Sequence, residues 1–229
     1  FAIPRVVRPD FDEEVVNRAI STKRKSKVTF SKQERRTIAI HEAGHAVCGH
    51  YLAHASTIEK ISIATDDSDV LGYVIRAVRE NKYVTTEREL LDDICVLLGG
   101  RVAEKLVIGD ISVGAYDDLQ KATLLARSMI EELGMGKTLG LRVISGREGL
   151  GRTALRENVS DETEAAVDKE IREMLEVQRA RAEALIEAKR EAFDLLVSTV
   201  LEKNTLDKDG VVAILGPPVI SESKKMQEV

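Results

Sequence analysis

Apolar residues recur at helical spacing along most of the chain and change to a strand-like pattern in one short region. The helical spacing predicts four stretches: about 31–52, 86–106, 119–134 and 160–203. A break near Lys189 divides the last stretch, which we expect to form an antiparallel helix pair. Between residues 58 and 78, the segments ISI and VLGYVIRAV flank the acidic turn TDDSD, and their β-branched residues indicate strands. The sequence therefore predicts a mainly α domain with one small β-strand pair.

Local signals mark where two of these helices begin and how they pack. Ser31 and Thr86 are each followed three residues later by Glu, the pattern of a capping box. Gly99 and Gly100 lie inside the second helix, where each costs about 1 kcal/mol relative to alanine. We therefore expect another backbone to pack closely against this face, and the helix that follows Ser31 is the candidate.

Composition and charge exclude several classes of partner. The 229 residues contain no Trp, are 43% hydrophobic and carry a formal net charge of -5, so we expect no nucleic-acid partner. Cys48 and Cys95 lie within apolar helical patterns, which is typical of buried thiols in a reducing compartment. No run approaches the roughly 20 apolar residues that cross a bilayer, so we expect this chain to be soluble.

Residues 41–45, HEAGH, match the pattern HExxH within the first helix. Residues four apart on a helix project side by side, so His41 and His45 can bind one Zn²⁺. Glu42 lies beside them, where its carboxylate can accept a proton from water whose pKa the metal has lowered. The pattern therefore predicts a catalytic zinc centre with Glu42 as the general base. His50 and His54 would face away from His41, since each residue turns the helix by about 100°.

A catalytic zinc needs a third protein ligand, and no third histidine follows at the spacing of the longer HExxHxxGxxH pattern. The third ligand must then be a carboxylate from elsewhere in the chain. Spacing does not decide among the candidates, which are Glu104, Asp110, Asp117, Asp118 and the acidic residues of 66–69.

Beyond HExxH, the chain resembles the FtsH-type, ATP-dependent AAA+ zinc proteases of peptidase family M41 over nearly its whole length. The resemblance rests on ordered stretches: DFDEEVVNRAI, IAIHEAGHAVCGHYL, ISI, LGYVIRA, ELLDDICVLLGGRVAEKLVIGDISVGAYDDLQKAT, ARSMIEELGM, LGR, SDETEAAVDKEI and LEKNTLD. In this family an Asp in a Gly-Ala-x-x-Asp-Leu segment is the third zinc ligand. The resemblance therefore implies Asp118.

The resemblance also implies a role for Glu104, which occupies the Glu of the family's Gly-Gly-Arg-x-Ala-Glu segment. Glu104 would orient one of the two histidines without binding the metal. Asp117 and Val113 stand where many relatives have Asn and Thr. These departures alter the local charge and hydrogen bonding next to the third ligand.

The family's organisation implies the surroundings of this domain. Within residues 1–30, the first part would be the last helix of an AAA+ ATPase, and residues 31–216 would be the peptidase domain. The residues themselves predict the rest: the basic stretch STKRKSK is typical of a linker, and Pro217 and Pro218 indicate that 217–229 are a disordered tail. The full-length protein would be a ring-shaped homo-hexamer, anchored to a membrane by preceding segments, with this domain facing the cytoplasm or its organellar equivalent. Its substrates would be unfolded or damaged proteins. The chain has no GxxxxGK[ST] phosphate loop, so ATP would serve only the full-length protein.

Two other functions are compatible with the residues alone. The chain could be a catalytically silent scaffold for oligomerisation, although the intact HEAGH argues against this. It could also be a small zinc amidohydrolase that applies the same chemistry to another acyl bond.

Overall fold

A computed structural model of the chain describes residues 30–63, 72–77, 84–144 and 159–219. These residues form α1 (Lys32–Tyr51), β1 (Ile58–Ile63), β2 (Gly72–Arg76), α2 (Glu87–Ile108), α3 (Tyr116–Glu131), α4 (Asp161–Ala188), α5 (Arg190–Lys203), β3 (Thr205–Asp207) and α6 (Lys208–Leu215). A short 3₁₀ turn, Val113–Ala115, leads directly into α3. The prediction of a mainly α domain is confirmed.

Both predicted capping boxes are present. The Ser31 hydroxyl accepts a hydrogen bond from the Glu34 amide at 3.2 Å, and the Glu34 carboxylate accepts one from the Ser31 amide at 2.7 Å. At the start of α2, the Thr86 amide donates to the Glu89 carboxylate at 2.9 Å. These bonds satisfy backbone groups that a helix end leaves free, which explains why both helices begin where the sequence predicts.

The predicted strand pair is confirmed, and a third strand joins it. β1 lies in the centre of an antiparallel sheet in the order β2-β1-β3, so that Ile61 is opposite Val74 on one side and Leu206 on the other. With three residues, β3 is too short to show a strand period in the sequence. It forms because Asn204, with φ of 63°, turns the chain out of α5 and along β1.

Two hydrophobic cores lie on either side of α2. The first is formed by α1, β1, α2, α5 and α6, with contributions from the end of α4, and includes Ile40, Ile61 and Phe193. The second is formed by α2, α3 and the start of α4, and includes Met129 and Ile171. Since α2 contributes to both cores, it fixes the position of α3 relative to α1.

The helical stretch 160–203 breaks at Lys189 as predicted, but it is not an antiparallel pair. α4 packs mainly against α2 and α3, α5 packs mainly against α1, and the two helices have few contacts with each other. The reason is that their apolar residues are shared between the two cores: Val167 of α4 lies in the second core, whereas Leu196 of α5 lies in the first.

The glycines of α2 allow the close packing that the sequence predicts. A Cβ atom on Gly99 would lie 2.7 Å from the carbonyl oxygen of Gly44 and 3.0 Å from the Cys48 sulfur. A Cβ atom on Gly100 would lie 2.6 Å from the His41 ring. The backbones of α1 and α2 therefore meet without intervening side chains at the level of HEAGH.

Replacing Gly99 by alanine is expected to lower the free energy of unfolding by about 2 kcal/mol. Alanine favours the helix by about 1 kcal/mol, but overpacking against a backbone that cannot rotate away costs more than that gain. Urea unfolding of the metal-free chain measures the change. Gly49→Ala is the control, because the one close contact of its Cβ, at 2.7 Å, would be with the flexible end of the Ile58 side chain. Equal or higher stability of Gly99→Ala would contradict the prediction.

Parts of the predicted domain organisation lie outside the described residues, namely 1–29 and most of the predicted tail, 220–229, and so does the acidic turn TDDSD, residues 65–69. At the start of that tail, the Val219 amide donates to the His50 carbonyl at 3.3 Å. Among the helices of the described residues, none combines the length and apolar character that a membrane crossing requires.

Candidate metal centre

The side chains of His41 and His45 meet on one face of α1. Both residues are buried, and their Nε2 atoms are 3.0 Å apart. The buried Glu42 lies on the same helix between them. This is the arrangement that the four-residue spacing of HExxH predicts.

The third member of the cluster comes from α3. The Oδ2 atom of Asp118 lies 3.2 Å from the Nε2 of His41 and 3.3 Å from the Nε2 of His45. Asp118 is in the first turn of α3, and the packing of α3 on α2 brings it to the histidines across 73 residues or more of sequence. Within the described residues, these three side chains form the group of possible metal ligands.

The three atoms have the spacing of a tetrahedral zinc site. Four ligands at about 2.0–2.1 Å from a tetrahedral zinc are about 3.3–3.4 Å from one another. The three separations here are 3.0, 3.2 and 3.3 Å. Two imidazole nitrogens and one carboxylate oxygen are also the donor set of a catalytic zinc that keeps a fourth position open. The residues present therefore fit zinc.

The other ring nitrogen of each histidine is held by α2. The Nδ1 of His41 lies 2.6 Å from Oε1 of Glu104, and the Nδ1 of His45 lies 2.7 Å from the carbonyl oxygen of Val96. Both partners accept hydrogen bonds, so each Nδ1 is the donor, and each Nε2 is directed at the centre, where loss of any proton it carries would free a lone pair for a metal. Glu104 thus lies where the family resemblance implies, beside His41 and away from the three-atom cluster.

The electrostatics of the centre favour positive charge. Burial lowers the pKa of His41, but hydrogen bonds with Asp118 and Glu104 outweigh it and raise this pKa to about 9. Burial raises the pKa of Asp118, whereas its hydrogen bonds with His41 and His45 hold it well below its usual range. A proton on His41 is thus stabilised by two carboxylates, and the same charges would stabilise a metal cation.

Glu42 has the environment of a proton acceptor. Burial raises its pKa, and the nearby His45 and His41 only partly oppose this effect. Strand β2 passes directly over the side chain, since a Cβ atom on Gly72 would lie 2.7 Å from Oε1 of Glu42. Only a glycine at this position allows the strand to approach the carboxylate so closely.

The cluster opens into a cleft of about 860 Å³ between β2 and the segment that begins α3. Its apolar lining includes Ile38, Val74, Val96 and Leu97. A partly apolar cleft of this size can hold several residues of an extended peptide and keep bulk water away from the reacting groups.

The remaining candidates from the sequence lie elsewhere. Asp117 and Asp110 are exposed, and Asp110 accepts a hydrogen bond from the neighbouring Ile111 amide at 2.8 Å. The acidic residues of 66–69 are outside the described residues. His50 lies 2.9 Å from the Gly216 carbonyl, and the His54 amide donates to the Asp92 carboxylate, so neither belongs to the cluster.

Sequence reasoning missed three contributors to the site. The Val96 carbonyl could not be predicted, because a backbone group has no residue signature. Gly72 was visible as the glycine of LGYVIRA, but nothing in the sequence places it over Glu42. Ser112, which contacts Glu104, lies in the turn-rich segment GDISVGAYDD, where one hydroxyl carries no signal of a role in the site.

A helix that carries HExxH, a carboxylate from a second helix and an adjacent strand at the edge of the described sheet together define a metallopeptidase domain. The model of peptidase family M41 matches residues 28–214, and the chain belongs to this family.

Several curated relatives are similar to most of the chain, and each is described as the ATP-dependent zinc metalloprotease FtsH. The protein of Burkholderia pseudomallei (strain 1710b) is 36% identical over 217 residues, which are 93% of this chain and 32% of the relative. The protein of Thermotoga maritima is 36% identical over 215 residues, 92% of this chain and 35% of the relative. The protein of Bacillus subtilis (strain 168) is 35% identical over 215 residues, 92% of this chain and 34% of the relative. The chain spans about a third of the length of these relatives.

Proposed function

We propose that this chain is the zinc metalloendopeptidase domain of an ATP-dependent, membrane-anchored protease that degrades unfolded or damaged proteins. The observation that carries the proposal is the triangle of His41, His45 and Asp118 donor atoms, with separations of 3.0 to 3.3 Å beside Glu42. These three residues would hold the zinc. Membership of family M41 supports the peptidase class.

When bound, the zinc would act as a Lewis acid that acidifies water and polarises the scissile carbonyl. Glu42 accepts a proton from the attacking water and passes it to the leaving amine. Its buried position and raised pKa suit it to both steps, because the carboxylate is more basic than an exposed one. Glu104 and the Val96 carbonyl keep the two imidazoles in one tautomer and orientation.

The position of strand β2 beside the cleft favours an unfolded polypeptide as the substrate. In the described part of the sheet it is an edge strand, and Gly72, Val74 and Arg76 line the cleft. An extended chain can pair with such an edge through main-chain hydrogen bonds, which brings its backbone beside Glu42. Because such pairing recognises the main chain, it places few requirements on the substrate's sequence, but the substrate must be locally unfolded.

The larger assembly is a proposal that rests on the family. The relatives are described as ATP-dependent, and an ATPase, a membrane anchor and a homo-hexameric ring would belong to the full-length protein, with this domain facing the cytoplasm or its organellar equivalent. ATP would act there by delivering unfolded chain to the cleft. We expect no nucleic-acid partner, in line with the formal net charge of -5.

The proposal predicts that hydrolysis and unfolding are separable. The purified chain is expected to cleave a destabilised variant of a small two-state domain, and to cleave the stable parent at least about 10³-fold more slowly. A domain whose free energy of unfolding is about 5 kcal/mol or more is unfolded too rarely to be cleaved efficiently by a peptidase that cannot unfold it actively. Initial rates with zinc, with a chelator and with added ATP measure the difference. ATP should change neither rate, since the chain has no phosphate loop.

Three results would contradict the proposal. Absence of zinc-dependent cleavage of the destabilised variant would favour a silent scaffold. Hydrolysis of small amides without cleavage of the polypeptide would favour a zinc amidohydrolase. ATP-stimulated cleavage of the stable parent by this chain alone would contradict the separation of the two activities.

A further inference from the structure

Ser112 is bound to the carboxylate of Glu104 through two hydrogen bonds. Its backbone amide donates to Oε2 at 2.6 Å, and its hydroxyl donates to Oε1 at 3.1 Å. Glu104 is 1% exposed, so its oxygens depend on protein donors rather than on bulk water. A buried carboxylate needs such partners, because burying an ionised group without them is costly.

The same carboxylate is the partner of His41. Its Oε1 atom accepts both the Ser112 hydroxyl and the Nδ1–H of His41, the latter at 2.6 Å. Ser112 therefore restricts how Glu104 can rotate, and Glu104 in turn fixes the direction of the His41 ring.

Ser112 also begins the segment that carries Asp118. Its Oγ accepts a hydrogen bond from the Gly114 amide at 3.2 Å and caps the 3₁₀ turn Val113–Ala115. This turn continues without interruption into α3, where Asp118 lies in the first helical turn. The Ser112 hydroxyl thus contacts both Glu104, which orients His41, and the turn that leads to Asp118.

We propose that Ser112 is a positioning residue of the metal centre, which holds Glu104 against His41 and fixes the turn from which Asp118 projects. The inference rests on the proposed zinc site and adds to it a residue that touches neither metal nor substrate. Ser112 acts mainly through Glu104, because two of its three hydrogen bonds end on that carboxylate.

The first test is the zinc affinity of the Ser112→Ala chain, measured by competition with a chromophoric chelator. Partners that orient metal ligands typically contribute 10- to 100-fold to affinity, and the Ser112 amide remains in this variant, so we expect a loss of about 10-fold. Ser112→Thr, which keeps the hydroxyl, is expected to retain affinity close to that of the wild type. Ser198→Ala removes a hydroxyl that donates only to the Leu195 carbonyl on α5, and it should have no effect.

The second test is a double-mutant cycle with Glu104→Gln, again on zinc affinity. If Ser112 acts through Glu104, the double variant loses clearly less than the product of the two single losses. The absorption of the Co²⁺-substituted chain gives a second readout, since a His41 ring that has turned alters the ligand field. A substitution that only lowers the thermal stability of the metal-free chain would change neither the zinc affinity nor the Co²⁺ absorption.

The outcomes separate this inference from the proposed function. Wild-type zinc affinity in Ser112→Ala, an equal loss in Ser112→Thr, or single losses that multiply fully in the double variant would each overturn the role of Ser112. Failure of the wild-type chain to bind zinc would instead overturn the proposed metal centre itself.

Discussion

Replacing Asp118 by alanine is expected to lower zinc affinity by more than about 100-fold and to abolish zinc-dependent hydrolysis. Loss of a group that only orients a metal ligand costs about 10- to 100-fold, and Asp118 supplies a donor atom directly. Its Oδ2 is 3.2 and 3.3 Å from the two imidazole nitrogens, and no other carboxylate oxygen of the described residues completes a metal-binding group with them. Zinc per chain after dialysis and affinity by chelator competition measure the effect.

Asp117→Ala is the matched control for this variant. Asp117 lies in the same first turn of α3 and lines the same cleft, but it is exposed and outside the three-atom cluster. Its removal takes the same charge from the start of the helix, so an effect that acts through the helix dipole appears in both variants. Equal losses of zinc in the two variants would contradict the assignment of Asp118.

Replacing Glu42 by glutamine is expected to lower kcat by about 10²- to 10⁴-fold while one zinc per chain is retained. Proton transfer by a positioned side chain contributes about this much, and glutamine keeps the shape of glutamate but cannot accept the proton. Zinc binding should persist, because the carboxylate of Glu42 is not one of the three clustered donors. Metal content and peptide-cleavage rates, measured on the same preparation, separate the two effects.

Glu34→Gln is the control for the loss of an acidic side chain from this helix. Glu34 lies two turns before Glu42 on α1 and lines the same cleft, and glutamine can also complete the capping box with Ser31. We expect this variant to cleave peptide at nearly the wild-type rate. Unchanged hydrolysis in Glu42→Gln, or loss of its zinc, would show that Glu42 is not the general base.

Helix α2 connects the packing of the domain to the chemistry of the centre. Val96, Gly100 and Glu104 are spaced by four residues and therefore lie along one face of the helix. The first accepts a hydrogen bond from His45, the second leaves room for the His41 ring, and the third accepts from His41. The face of α2 that packs against α1 is thus also the surface that orients both imidazoles.

The sequence by itself determined the local part of this architecture. Capping boxes, the spacing of HExxH and the glycine pair act between residues a few positions apart, so their consequences can be predicted without knowing the fold. The start of α1, the adjacent imidazoles of His41 and His45, and the close approach of α1 and α2 follow from such signals. The strand pair also follows, because β-branched residues on both sides of a polar turn favour a hairpin.

The contacts between residues that are far apart in the sequence were decided only by the tertiary structure. Spacing left the third donor open among several carboxylates, and the family resemblance pointed to Asp118. Its position next to the histidines depends on how α3 packs against α2. Strand β3 forms only where β1 offers an edge, and α4 and α5 separate because they fill different cores. The bonds of Val96 and Ser112 were hidden for the same reason: backbone groups and common hydroxyls acquire a role only when the fold places them beside a buried polar partner.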